Sequence, residues 1–117
     1  MIRAENVRPQ TWSEIEILFE NEAHSIIWGK NSNNKTLGMR WNGAETATSV
    51  GYPHRDGKYP LWYNVPDFIA DAILLELLKL EDVAVKKDKV LLAIQQIENE
   101  ERKKKFATIL NDLKTKM

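Results

Sequence analysis

Three of the chain's four prolines and four of its five glycines fall between residues 37 and 67, and none follows Asp67. That asymmetry constrains the fold more than any other feature. Gly and Pro punctuate strands and turns, whereas a long helix excludes them from its interior. The stretch also holds two of the four tryptophans and all three tyrosines, residue types that favour a pleated, half-buried surface. It predicts a sheet followed by helices.

The sheet is expected to begin before this stretch. Residues 24–29, H-S-I-I-W-G, are short, β-branched and aromatic and read as a strand. Residues 30–34, K-N-S-N-N, are turn chemistry. Residues 35–42 return as a second strand, with Leu37, Met39 and Trp41 on one side and Thr36, Gly38, Arg40 and Asn42 on the other. The first side is expected to face the core and the second to face solvent. Residues 43–49 read as a loop, 50–53 as a third short strand and 61–65 as a fourth. Between these last two, Asp56-Gly57 is a strong hairpin-turn dipeptide.

Upstream, Thr11-Trp12-Ser13-Glu14 has the form of a capping box, with Pro9 just before it. Trp12, Ile15 and Phe19 then recur at helical spacing. These signals predict a short amphipathic helix over residues 11–21, although Ile15, Ile17 and Phe19 also alternate as in a strand. Downstream, Pro66 suits the first position of a helix and Asp67 its positive end. Apolar residues from Phe68 to Leu80 surround most of that helix, which predicts a central position across the sheet with another helix over it. After a connection over 80–87, Asp88 is a plausible cap for a last helix reaching about Lys116. The expected fold is α+β: one domain over 1–117, with a short N-terminal helix, a three- to four-stranded antiparallel sheet over about 24–65, and two C-terminal helices over about 66–116 packed on one face.

The last helix poses a geometric problem. At 100° per residue, Val90, Ile94 and Ile97 form one stripe. Phe106, Ile109, Leu110, Leu113 and Met117 form a second, rotated by roughly 120–150°. One straight helix cannot press both stripes onto one small domain. Phe106, Leu110, Leu113 and Met117 have the spacing of a helix–helix seam, so the second stripe is expected to mediate a homodimer. The alternative is that it folds back on Trp12 and Phe19 of its own chain. Between the stripes, Glu98 and Glu100 stand four residues before Arg102 and Lys104, a favourable order for ion pairs on a solvated face.

Composition narrows the function classes. The 17 basic and 17 acidic side chains cancel, which argues against a dedicated duplex-DNA binder. There is no cysteine, so disulfides and thiolate metal sites are excluded. Residues 1–12 lack the apolar centre of a signal peptide. The longest apolar-rich piece, 68–80, is interrupted by Asp71, Glu76 and Lys79 and is too short for a membrane span. These features predict a soluble cytoplasmic protein without a membrane partner.

Catalytic signals are sparse. His54, Arg55 and Asp56 form the one cluster of histidine, base and carboxylate, and a small enzyme centred on His54 and Asp56 is one reading. An exposed hairpin with turn residues is the other. No serine sits in a glycine-flanked elbow, and the glycines do not form a phosphate cradle. No metal or cofactor is expected.

The interleaved aromatic and basic residues are more suggestive. Arg40, Asn42, Tyr52, His54, Arg55, Lys58, Tyr59 and Tyr63 are the candidate ligand-binding residues, with Trp41 and Trp62 among them in sequence. Rings and bases on a small sheet can hold a single-stranded nucleic acid. The same residue types dominate recognition of peptides, proteins and small ligands. They also build the core and edges of a small sheet without any ligand. The primary expectation is a non-enzymatic binding or interaction module of unknown ligand; the alternative is a single-stranded nucleic-acid binder. R-W-N-G at 40–43, G-Y-P at 51–53 and P-L-W-Y-N-V-P-D at 60–67 resemble small uncharacterised bacterial proteins, including ones carried on mobile elements. The resemblance covers about a quarter of the chain and implies no known activity or catalytic residue.

Overall fold

The structure is a computed structural model describing residues 1–116, with side chains through Asp112. It is an α+β fold. Strands β1 (Trp12–Glu20), β2 (His24–Asn31) and β3 (Asn34–Trp41) form an antiparallel meander. A small hairpin of β4 (His54–Arg55) and β5 (Tyr59–Pro60) follows, and β6 (Tyr63–Val65) then completes the sheet in the order β1-β2-β3-β6. Three helices come last: α1 (Asp67–Lys79), α2 (Lys87–Gln95) and α3 (Glu100–Lys116).

The turns follow their chemistry. Asp56 and Gly57 both have positive φ, at 56° and 68°, and Lys58 N–H donates to the Arg55 carbonyl at 3.1 Å. Two consecutive left-handed residues give the twist that closes a two-residue hairpin. Asn31 and Asn34 pair across the β2–β3 turn, with Ser32 at φ 59°. Residues 50–53 do not make a full strand: only Tyr52 pairs, with Trp41.

The N-terminal helix expected over 11–21 is instead β1; the only helical turn upstream is a single 3-10 turn at Ala4–Asn6. Pairing with β2 overrides the capping signal, because β1 thereby places apolar residues on both sides of the sheet. Leu18 and Phe19 pack toward the helices, Ile15 and Ile17 toward the opposite face. Register shifts between Ser13 and Glu16 and between Ile17 and Phe19 make this possible, since an extra residue in one strand moves the following side chains to the other face.

The helices cover one face. α1 packs on β3, α2 on β1, and the two touch each other, so they lie side by side on the sheet. Their core includes Leu18, Trp28, Leu37, Val65, Leu74, Val90 and Ile97. Trp28 Nε1 donates to Gln96 Oε1 at 2.8 Å and ties the end of α2 to the sheet. The other face is covered by the irregular N-terminal segment and by Trp62, which with Ala4, Val7, Trp12 and Ile27 form a second core. The Trp12 indole lies over the small residues of β2 and β3. A Cβ on Gly38 would stand 3.0 Å from Trp12 Cη2 and 3.0 Å from Ile27 Cγ1.

The last helix is two helices. The chain leaves helical structure after Gln95, and Asn99 restarts it: its Oδ1 accepts from Arg102 N–H at 3.0 Å, an N-cap bond, with Glu100 and Glu101 in the first turn. This break resolves the problem of the two stripes. Phe106 turns back into its own core at 2% exposure, and Leu110 packs against that core. Phe106 is therefore not a free seam residue. Ile109 is half-buried, and the side chains of Leu113 and Met117 lie outside the described residues. Arg102 pairs with neither Glu98 nor its own helix. Its Nε and Nη2 hold Asp71 of α1 in a fork, with Nη2 2.5 Å from Oδ1, and its Nη1 lies 3.4 Å from Asp67. Among the described residues, no helix is long and apolar enough to cross a membrane.

Candidate functional site

Strand pairing assembles an aromatic groove beyond the reach of the helices. Residues paired across an antiparallel ladder share a face. Leu37 pairs with Val65 under the helices. Two residues along, Met39 pairs with Tyr63; two further, Trp41 pairs with His24 on one side and Tyr52 on the other. The helices cover Leu37 and part of Met39, but not Trp41. His24, Met39, Arg40, Trp41, Tyr52, Pro53 and Tyr63 therefore line a groove of about 250 Å³ with an almost wholly apolar wall. Trp41 is 43% exposed, Tyr52 65% and Tyr63 53%. These rings are fixed at their base by the ladder, Trp41 and Tyr52 exchanging both backbone hydrogen bonds at 2.9 and 3.0 Å. His54 packs edge-on against Tyr52, with centroids 5.9 Å apart.

The expected sides of β3 are thus partly exchanged. Trp41, placed on the core side, is exposed. Arg40 and Asn42, placed on the solvent side, are buried, because the N-terminal segment covers that face. Arg40 is 3% exposed. Its Nη2 donates to the Val50 carbonyl through a very short contact, and its guanidinium carbon lies 6.0 Å from the Trp62 ring centroid. Nε and Nη1 have no hydrogen-bond partner among the described residues. Burial without a counter-charge lowers its pKa to about 10. Gly51 lets the loop close here: its φ is 75°, and a Cβ would stand 2.0 Å from the Trp41 carbonyl oxygen.

Asn42 is a structural hub. Its Oδ1 accepts from Ser25 Oγ at 2.7 Å, and its Nδ2 donates to the Asn21 carbonyl at 3.0 Å. Its backbone carbonyl accepts from Ile2 N–H at 2.8 Å. Glu20 extends the network, accepting from Ala4 N–H at 2.7 Å and from Ser25 Oγ at 3.3 Å. Asn42 is buried away from any surface ligand, and Arg40, although it borders the groove, is almost wholly buried.

Arg55, Lys58 and Tyr59 are exposed on the β4–β5 hairpin. Arg55 lies over the Tyr59 ring at 4.6 Å and faces away from the groove, into a cleft shared with Arg8. His54 Nδ1 accepts from Gly57 N–H at 2.9 Å, so that nitrogen closes the hairpin turn. Asp56 stands at the turn itself. Among the described residues, no group of three or more His, Asp or Glu is placed to hold a metal ion.

Of the eight candidate ligand residues, the structure brings Tyr52, Tyr63 and the almost wholly buried Arg40 to the groove with His54 at its edge, buries Asn42, and sets Arg55, Lys58 and Tyr59 on the hairpin. His24, Met39, Trp41 and Pro53 join the groove without having been on that roll. The alternation of Leu37, Met39 and Trp41 was readable in the sequence. The place where the helices stop covering it was not. No protein-family model, curated protein or solved structure matches this chain.

Proposed function

We propose that the protein is a non-enzymatic binding module whose ligand lies in the aromatic groove, and that the ligand is an extended, proline-rich peptide without net charge. The observation that carries this is the exposure of three large rings, Trp41, Tyr52 and Tyr63, on one rigid, apolar groove. Leaving such surface in water is unfavourable, and rings held at strand positions lose little freedom on binding. Aromatic-lined grooves suit the preformed polyproline helix, which stacks between rings and needs few charges. The short edge strand β6 beside the groove offers backbone groups to an extended chain.

Nucleic-acid binding at the same groove keeps the rings but finds little cationic surface, because Arg40, which borders the groove, is almost wholly buried and Arg55 lines the cleft beyond the hairpin. Self-association through α3 loses its anchor, because Phe106 belongs to its own core. The primary sequence resemblance accords with a bacterial accessory role, again as a proposal.

Titration of a neutral proline-rich peptide, followed by tryptophan fluorescence and calorimetry, tests the reading. Affinity should hardly change between about 50 and 200 mM salt, where a phosphate-dominated contact weakens steeply. Trp41→Ala should lower affinity by roughly thirty-fold or more, the effect of a hot-spot ring. Binding that is lost with added salt, or that survives Trp41→Ala unchanged, would remove the groove as a peptide site.

A further inference from the structure

On the far side of the β4–β5 hairpin lies a second concavity, unrelated to the groove. It is a cleft of about 320 Å³ between the N-terminal segment and the hairpin, with Arg8, Pro9, Gln10, Arg55, Tyr59 and Pro60 in its wall and no acidic side chain among its lining residues. In a chain with equal numbers of acids and bases, a cleft walled by two arginines and no acid is a local positive field.

Both guanidinium groups are held in place by the protein. Arg8 Nη1 donates to the Ala4 carbonyl at 3.0 Å and to the Val7 carbonyl at 3.1 Å. Its Nε and Nη2 carry no bond among the described residues. The Arg55 guanidinium rests on the Tyr59 ring at 4.6 Å, and among the described residues that side chain makes neither an ion pair nor a hydrogen bond. Two oriented forks with unspent donors match the oxygens of a phosphate, which accepts paired N–H bonds from arginine. Their orientation is set before any ligand arrives, which reduces the entropy lost on binding. The rest of the wall is mixed, with Pro9, Tyr59, Pro60 and Leu61 giving it apolar surface and Asn6 and Gln10 polar groups. A volume near 300 Å³ is the low end for small-molecule sites and holds a phosphate with one ring.

We infer that this cleft binds a small phosphomonoester bearing an apolar ring. The phosphate bridges Arg8 and Arg55, and the ring lies against Pro9 and Pro60. The site stands apart from Trp41 and does not depend on the peptide reading.

Phenyl phosphate is the probe, with inorganic phosphate and phenol as its two halves, followed by amide NMR of the whole chain. Phenyl phosphate should produce saturable shifts confined to residues 6–10 and 55–61, binding more tightly than inorganic phosphate, while phenol should produce none. Arg55→Gln is the decisive variant because the Arg55 side chain holds no hydrogen bond or ion pair among the described residues, and its backbone pairing in the hairpin is kept. It should lower affinity roughly ten- to a hundred-fold, the loss of a charge-assisted hydrogen bond. Arg8→Gln should act in the same direction. Titration unchanged in Arg55→Gln, or shifts spread over every surface lysine and arginine, would overturn the site. Tighter binding of an oligothymidine that also shifts Trp41 would reassign the cleft to a nucleic-acid strand and overturn the small-ligand assignment.

Discussion

The two faces of the sheet are closed by different means. On one, three helices bury an aliphatic core in which backbone polar groups are already satisfied within each helix. On the other, residues 1–9 run across the sheet with almost no regular structure. Beyond the single 3-10 turn and the Arg8 side chain, few of their N–H and C=O groups are paired within the segment, and burying the others unpaired would be costly. The sheet supplies the partners: Glu20 accepts from Ala4, the Asn42 backbone accepts from Ile2, and Trp62 Nε1 donates to the Val7 carbonyl at 3.0 Å. That is why polar residues appear at positions whose alternation suggested solvent. A face covered by irregular chain needs polar groups inside; a face covered by helices does not.

The largest expected effect is on the helical face. Phe106→Ala should cost about 3–5 kcal/mol, the loss of a buried ring plus the cavity it leaves. Thermal or urea unfolding reads this directly, and a chain cut after Lys105 should be destabilised at least as much. A variant as stable as the parent would mean that α3 is free to serve a second molecule instead.

On the polar face, Asn42→Ala should cost about 1–3 kcal/mol, because it leaves the Asn21 carbonyl without its side-chain partner and Ser25 with only the longer bond to Glu20. Amide exchange should accelerate at residues 2–7 well before the helices open. Uniform acceleration across the chain would show that the two faces unfold as one unit.

Arg40→Met tests the same face with the opposite sign. A buried cation with two unpartnered nitrogens weakens the fold, and an apolar side chain of similar length should be neutral or stabilise by about 1 kcal/mol. The pH dependence follows from linkage. The folded pKa of about 10 lies below the ordinary arginine value, so between the two the unfolded chain binds more protons. The parent should therefore gain stability relative to Arg40→Met as pH rises from about 10 toward the ordinary arginine value, with the full penalty present below about 10. Denaturant midpoints of both proteins at pH 9 and 11 check this, and a constant difference would show that Arg40 carries no such penalty.

The smallest effect belongs to the edge of the helical face. Trp41→Ala should change stability by less than about 1 kcal/mol, since the ring is half in solvent. A loss near that of Phe106→Ala would mean that Trp41 is core and that the groove is closed.

Local chemistry alone determined much of this fold. The Gly and Pro distribution separates sheet from helices, Asp56-Gly57 makes its hairpin, and residues 24–41 pair as their alternation implies. Such signals act within a few residues, through the φ of a turn or the missing N–H of proline. Three features depended on distant chain. Residues 12–20 became a strand because β2 offered a partner and both faces a core. The helix broke before Asn99 because Phe106 had to reach the same core as Val90 and Ile97, although the Asn-Glu-Glu cap was there to be read. Arg40 and Asn42 went inside while Trp41 stayed out, because alternation distinguishes the two sides of a strand but carries no information about what covers either. The groove exists where the helices end, and that position is set by packing between segments far apart in sequence.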